Sequence, residues 1–217
     1  MISTGLRGPA LLSCVVVSVA LCGCSGLFHS NARPDQVYYL RAAPLNEGST
    51  LADPVAASLR VLRPTAAPGL DSPQIVLLQS DRRMSFYLAS RWPASAPGMV
   101  EALAIEKLRG SGMWQSVGDS TSSFPSDYLI QVMIRRFEAD YTGGSTAPDI
   151  HVVLDCVVGR REGREVVGSF LAEGSAQATA NRLGAVVAAF DSATNTALDS
   201  MAMQTAGAVR TALAQKR

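Results

Sequence analysis

The chain has 217 residues, with 19 basic and 18 acidic side chains, a formal net charge of +1 and 47% hydrophobic residues. This balance gives no electrostatic drive for binding phosphate backbones, so no nucleic-acid partner is expected. The only lysines are Lys107, within the helical stretch 104–109, and Lys216 near the C-terminus. No P-loop can form around either, and neither a G-x-G-x-x-G nor a G-x-S-x-G turn occurs.

The first residues read as an address. Arg7 is the only charge before residue 24, and Pro9 to Leu21 are apolar or small. That run is shorter than the roughly 20 residues a helix needs to cross a bilayer, so a signal peptide fits better than a retained span. It ends in Leu21-Cys22-Gly23-Cys24, which resembles the lipobox at which bacterial lipoproteins are acylated and cleaved. Cys14 is a poorer acceptor because its apolar run would be only a few residues long. The expected organisation is a lipoprotein signal peptide over 1–23, an acylated cysteine and tether over 24–35, and a single α/β domain over 36–217. Cys24 is the one expected lipid-attachment residue. Each buried CH₂ contributes about 0.8 kcal/mol, so several acyl chains hold almost permanently where one binds reversibly. By the same resemblance, Ser25 after the cysteine, in place of a retaining aspartate, points to the outer membrane, facing the periplasm. Removing 1–23 leaves 194 residues, enough for one sizeable core. Cys156 is then the only free thiol, so no intramolecular disulfide is expected.

Val37-Tyr38-Tyr39-Leu40 predicts a first strand, and the polar stretch from Pro44 to Pro54 a loop. Ser58 to Arg63 alternates apolar and polar residues and stops at Pro64, as a half-buried strand would. Gln74 to Leu78 and Met84 to Leu88 predict a hairpin turning at Gln79 to Arg83. Pro97 to Arg109 predicts a helix: proline suits its first turn, Val100, Leu103, Ala104 and Leu108 share a face, and Lys107 and Arg109 lie near its C-terminus. Met113 to Val117 reads as a short strand and Ser120 to Pro125 as an irregular polar segment.

Asp127 to Tyr141 gives the strongest strand signal. Tyr128, Ile130, Val132 and Ile134 share one face, and the phase then shifts to Phe137, Ala139 and Tyr141, which predicts a bulge near Arg135-Arg136. Ile150, Val152, Leu154, Cys156 and Val158 continue the core on a paired strand, and a third strand runs through Val166, Val167, Phe170 and Leu171. From Asn181 to Ala214, apolar residues at helical spacing predict a helix of about nine turns, roughly 50 Å long. Such a helix must cross the whole sheet or project beyond it.

No catalytic constellation stands out. Cys156 alternates with core positions and reads as a small buried residue, and His29 and His151 lack ligand spacing for a dedicated zinc site. Asp127, Glu138, Asp140 and Asp155 admit a carboxylate pair but fit solvated strand edges better. Arg135-Arg136 and Arg160, Arg161 and Arg164 fit ordinary surface charge, or contacts to lipid head groups or an acidic partner. Trp92, in Arg91-Trp92-Pro93, either pins strand to helix or forms part of a partner surface, where Trp is enriched.

Several short motifs occur in a distinctive order: Val37-Tyr38-Tyr39-Leu40, Leu59-Arg60-Val61, Pro73-Gln74-Ile75-Val76, Phe86-Tyr87, Arg91-Trp92, Asp127-Tyr128, Arg136-Phe137-Glu138 and Ala188-Ala189-Phe190. Following a lipobox, this order resembles the ABC-type transport auxiliary lipoproteins. The resemblance implies an α+β domain with helices packed on a mainly antiparallel sheet. It also implies work beside an ATPase, a permease and a mammalian-cell-entry (MCE) domain protein that move lipids or other hydrophobic molecules across the envelope; with no catalytic or ligand constellation in the residues, a non-enzymatic role with no cofactor and no metal is expected. The expected function is a tethered docking component of such an intermembrane transport system. The alternative is a periplasmic carrier that holds an acyl chain itself, in a groove lined by strands such as Tyr128 to Ile134. The multimeric transporters served by this family are also compatible with a homo-oligomer.

Overall fold

The computed structural model describes residues 34–45 and 54–215, so Cys24 and most of the expected tether lie outside the described residues. One long strand, β7 (Tyr128–Asp140), forms the trunk of the sheet. On one side it pairs antiparallel along its whole length with β8 (Asp149–Arg160), which pairs antiparallel in turn with β9 (Glu165–Gln177). On its other side β7 is met by three short parallel partners. These are β2 (Val55–Val61) at Tyr128 to Ile130, β3 (Thr65–Ala66) at Met133 and Ile134, and β4 (Gln74–Leu78) at Ala139 and Asp140. Beyond β2 lies β6 (Trp114–Gly118), and beyond β4 the hairpin partner β5 (Met84–Arg91), edged by β1 (Gln36–Val37). The α+β class is the expected one. The long ladders are antiparallel, as expected, while the short ones that attach the N-terminal strands are parallel, so the sheet is mixed.

Alternation explains the trunk. Tyr128, Ile130, Val132 and Ile134 are buried with no more than 3% of their surface exposed, whereas Gln131, Met133 and Arg135 face outward. The register slips between Ile134 and Arg136, leaving Arg135 as the extra residue, and the inward face resumes at Phe137 and Ala139. This is the bulge predicted from the phase shift.

Two helices cover the inward face. α1 (Ala96–Gly110) starts with Pro97 in its first turn and buries Val100, Leu103, Ala104 and Leu108. Lys107 lies in the last turn of α1, as expected, but is only 2% exposed, and its Nζ lies 2.5 Å from Asp199 of α2 (Leu183–Ala214). A buried charge requires such a partner. α2 lies chiefly along β9 and β8 and does not cross the whole sheet. Half of its buried stripe is alanine, at Ala185, Ala189, Ala193, Ala197, Ala202, Ala206 and Ala212. The strand beneath it is correspondingly bare: a Cβ at Gly174 would sit 1.9 Å from the Ala193 carbonyl oxygen, and one at Gly168 would sit 2.7 Å from the Ala208 Cβ. Glycine on the strand and alanine on the helix let the two backbones approach closely.

The first predicted strand is corrected. β1 ends at Val37, and Tyr38 to Ala43 form a strap instead. Three of its backbone groups bond to α2: Arg41 N donates to Asp191 Oδ1 (3.0 Å), Ala43 N to Asn195 Oδ1 (2.7 Å), and Asn195 Nδ2 to the Arg41 carbonyl (2.9 Å), while Tyr38 N donates to the Arg91 carbonyl at 3.0 Å. The bonds to α2 take the place of a ladder, so β-propensity is overridden by partners more than a hundred residues away.

Candidate docking surface

At the end of the sheet where β7 begins, the segment between β6 and β7 is held at several points. Asp119 Oδ1 accepts from Thr121 N (2.8 Å) and Thr121 Oγ1 (2.7 Å), which holds its carboxyl below the usual aspartate range. Ser120 N donates to Glu101 Oε1 of α1 at 3.2 Å, and an Arg60 guanidinium nitrogen donates to the Phe124 carbonyl. At the entry to β7, Asp127 Oδ2 accepts from Ser58 Oγ (2.6 Å) and Ser58 N (2.7 Å), while Asp127 N donates to Ser58 Oγ at 2.9 Å. The Ser58 hydroxyl and amide hydrogen bonds keep the Asp127 carboxyl charged at lower pH than a free aspartate. Between these anchors the Phe124 side chain stands 81% exposed.

Two clefts flank it. One, of ≈ 410 Å³, is lined by Arg60, Arg109, Asp119 and Phe124 among others. The other, of ≈ 760 Å³, is lined by Ser58, Gln115, Asp127, Arg160 and Arg161 among others. Pro125 and Ser126 belong to both. A pinned aromatic between two partly polar clefts has the makeup of a protein-binding hot spot with a polar rim. Sequence reasoning classes 120–125 as an irregular polar segment and misses Phe124. The available signal is an aromatic set between serine and proline in a run otherwise lacking apolar side chains.

Of the residues singled out from the sequence, Asp127, Arg160 and Arg161 line one of these clefts, and most of the others are engaged elsewhere in the fold. Cys156 is fully buried, and burial, with the Asp155 charge adding to it, pushes its thiol up to about 12, which suits a core residue and not a nucleophile. The four carboxylates do not pair with one another. Asp155 accepts from Arg135 Nε at 2.8 Å, Arg136 bridges Glu138 (2.6 Å) and Asp140 (2.9 Å), and Asp127 is held by Ser58. Burial alone would raise the Asp140 carboxyl, but hydrogen bonds from Thr142 and Arg136 outweigh it and the net shift is downward. Arg160 is bridged to Glu165 at 3.0 Å. Of the arginines considered for head groups or an acidic partner, Arg135, Arg136 and Arg160 thus have carboxylate partners within the fold. His151 sits half-buried on β8, opposite Glu138 and Ser175. Among the described residues no group of three or more His, Cys, Asp or Glu side chains is placed to hold a metal ion. No described helix is long and apolar enough to cross a membrane.

The partner-surface reading of Trp92 is overturned. Trp92 is 1% exposed and packs edge-on against Phe137 (6.0 Å between ring centroids) and Phe190 (5.3 Å). Phe137 and Phe190 also touch, at 5.3 Å. The indole therefore joins the end of β5, the trunk strand and α2. The side chains offered as lining for an acyl groove, Tyr128, Ile130, Val132 and Ile134, face this same core.

Comparison with known proteins agrees with this architecture. A crystal structure of a Xanthomonas campestris protein of the DUF330 family superimposes with a TM-score of 0.73 at 24% identity, covering 82% of this chain and 99% of that one. A second, uncharacterized protein matches with a TM-score of 0.56 at 13% identity, covering 78% and 97% of the two chains. At these identities the likeness is one of fold. No curated protein matches the chain. The family model described as ABC-type transport auxiliary lipoprotein component matches residues 38–202, most of the chain and nearly all of the fold described above. The chain belongs to the ABC-type transport auxiliary lipoprotein family.

Proposed function

We propose that this protein is anchored through acylated Cys24 to the periplasmic face of the outer membrane and docks an MCE-domain subunit of an intermembrane lipid transporter. Signal peptide 1–23 and tether 24–35 precede the single domain in this reading. Membership of the auxiliary family supplies the transporter as the class of partner. The lipobox-like Leu21-Cys22-Gly23-Cys24 supplies the anchor. The observation that carries the docking role is Phe124, exposed to 81% on a segment whose backbone is fixed by Arg60, Asp119 and Asp127. An apolar ring left in water by a rigid loop contributes little to folding, but it can be desolvated by a partner at small entropic cost.

The test is in-cell crosslinking from a photoreactive residue at position 124, with Cys24→Ala as the tethering control. Recovery of an MCE-domain subunit, reduced in the Cys24→Ala strain, is the expected result. Recovery of lipid alone, or full transport by the Cys24→Ala strain, would sink the reading.

A further inference from the structure

We infer that the free edge of the β4–β5 hairpin is a membrane-contacting surface, which lies on the lipid interface when the domain hangs from its anchor. The inference rests on the acylation of Cys24 proposed above, and adds to it a second contact and an orientation.

Three observations converge on this edge. The first is apolar exposure. Met84, Phe86 and Leu88 alternate along one face of β5, and the outer two are 47% and 93% exposed. Leu88 is followed by Ala89, whose φ of 49° lies in the left-handed region that non-glycine residues rarely occupy. The ladder with β4 is also irregular between Gln74 and Val76. A local irregularity of this kind re-aims a side chain, and here it holds a leucine out into solvent.

The second is an unpaired edge. Among the described residues β1 pairs with β5 only at Ser90 and Arg91, which leaves Met84 to Ala89 without a strand partner on that side. A cleft of ≈ 540 Å³ opens there, lined by Asp35 and Ser85 to Arg91 among others.

The third is the direction of the chain. β1 runs parallel to β5, with Gln36 beside Ser90 and Val37 beside Arg91. Followed backward from Gln36, the described chain therefore heads along β5 toward Leu88 and the hairpin turn, away from Phe124. That turn carries Arg82, which makes no ion pair among the described residues, and Arg83, paired with Asp81. Basic side chains beside exposed apolar ones suit an interface bearing anionic lipids.

Cys24 and Asp35 are eleven residue steps apart, enough to reach roughly 37 Å when extended, so the tether permits this contact without enforcing it. A patch of this size would bind a free bilayer only weakly. The anchor makes the encounter intramolecular and raises its effective concentration to the millimolar range. The domain would then settle with the hairpin toward the lipid and the Phe124 end toward the periplasm, which leaves Phe124 free for a partner.

The experiment uses the mature acylated chain reconstituted into phosphatidylethanolamine–phosphatidylglycerol vesicles. Single cysteines are placed at Met84→Cys, Leu88→Cys or Phe124→Cys and labelled with an environment-sensitive fluorophore; Cys156, fully buried, stays unlabelled. The expected result is a blue shift and loss of emission to a lipid-borne quencher at positions 84 and 88, with neither at 124. Labels at 84 and 88 quenched no more than the label at 124, in protein that floats with the vesicles, would overturn the orientation while leaving the anchor intact. Protein that does not float with the vesicles would refute the anchor, and the inference with it.

Discussion

Trp92 and Phe124 occupy matching local settings. Each is an aromatic residue directly before a proline in a segment that adjoins a long strand, and the proline disfavours helical backbone at both. Their fates are opposite: 1% of Trp92 is exposed, against 81% of Phe124. Trp92 leads out of β5 toward α1 and faces rings from β7 and α2, so burying it closes the core over the sheet. Phe124 leads into β7 beyond the end of the ladder, and its loop is held by hydrogen bonds to Arg60 and Glu101 instead of by apolar contact. The local sequence allows either outcome, and the elements opposite decide between them. An aromatic that the fold does not use is available for a partner.

The sharpest way to test this contrast is to remove a ring from the buried trio. Phe190→Ala should destabilise the domain by about 3–5 kcal/mol, the usual range for truncating a buried Phe, because it empties the space between Trp92 and Phe137 that the ring fills. Denaturant melts would measure it, and a loss under about 1 kcal/mol would mean that the trio does not organise the core. Gly174→Ala comes next. Its Cβ would lie 1.9 Å from the Ala193 carbonyl, so α2 must lift from β9, at a cost of about 3 kcal/mol. Thermal unfolding of the variant against the parent checks this.

Asp127→Asn bears on the anchoring of the Phe124 segment and should cost about 1 kcal/mol at neutral pH, the typical value of a hydrogen bond to a charged group less what the amide retains. Because the folded carboxyl titrates below its ordinary value, its contribution is fully present above the unfolded aspartate pKa of about 3.9. That contribution is lost as pH falls through the lower folded value. The stability gap between parent and variant, read from urea midpoints, should therefore be widest near neutral pH and close in acid. The smallest stability effect belongs to Phe124→Ala, within about 0.5 kcal/mol because the ring is exposed. The same change should weaken partner binding about 30-fold, as for a central hot-spot ring. An unfolding midpoint that falls with Phe124→Ala while binding is unchanged would reverse the roles assigned to the two aromatics.

Several features were legible in order and spacing alone. Alternation from Tyr128 to Tyr141 gave the trunk strand and its bulge, because side chains alternate faces with period two and an extra residue breaks that phase. The i, i+3, i+4 spacing from Leu183 gave α2. These signals are carried by neighbouring residues. Others were not local. Val37 to Leu40 reads as a strand, but Asp191 and Asn195 of α2 take the Arg41 and Ala43 amides and hold the segment as a strap, and the place of Lys107 late in a helix does not announce its burial against Asp199. In the same way, the exposure of Phe124 and Leu88 and the direction in which the chain enters β1 depend on which distant elements come to lie beside them. Tertiary structure alone decided these points, because burial and pairing are properties of two surfaces and the sequence around a residue describes only one of them.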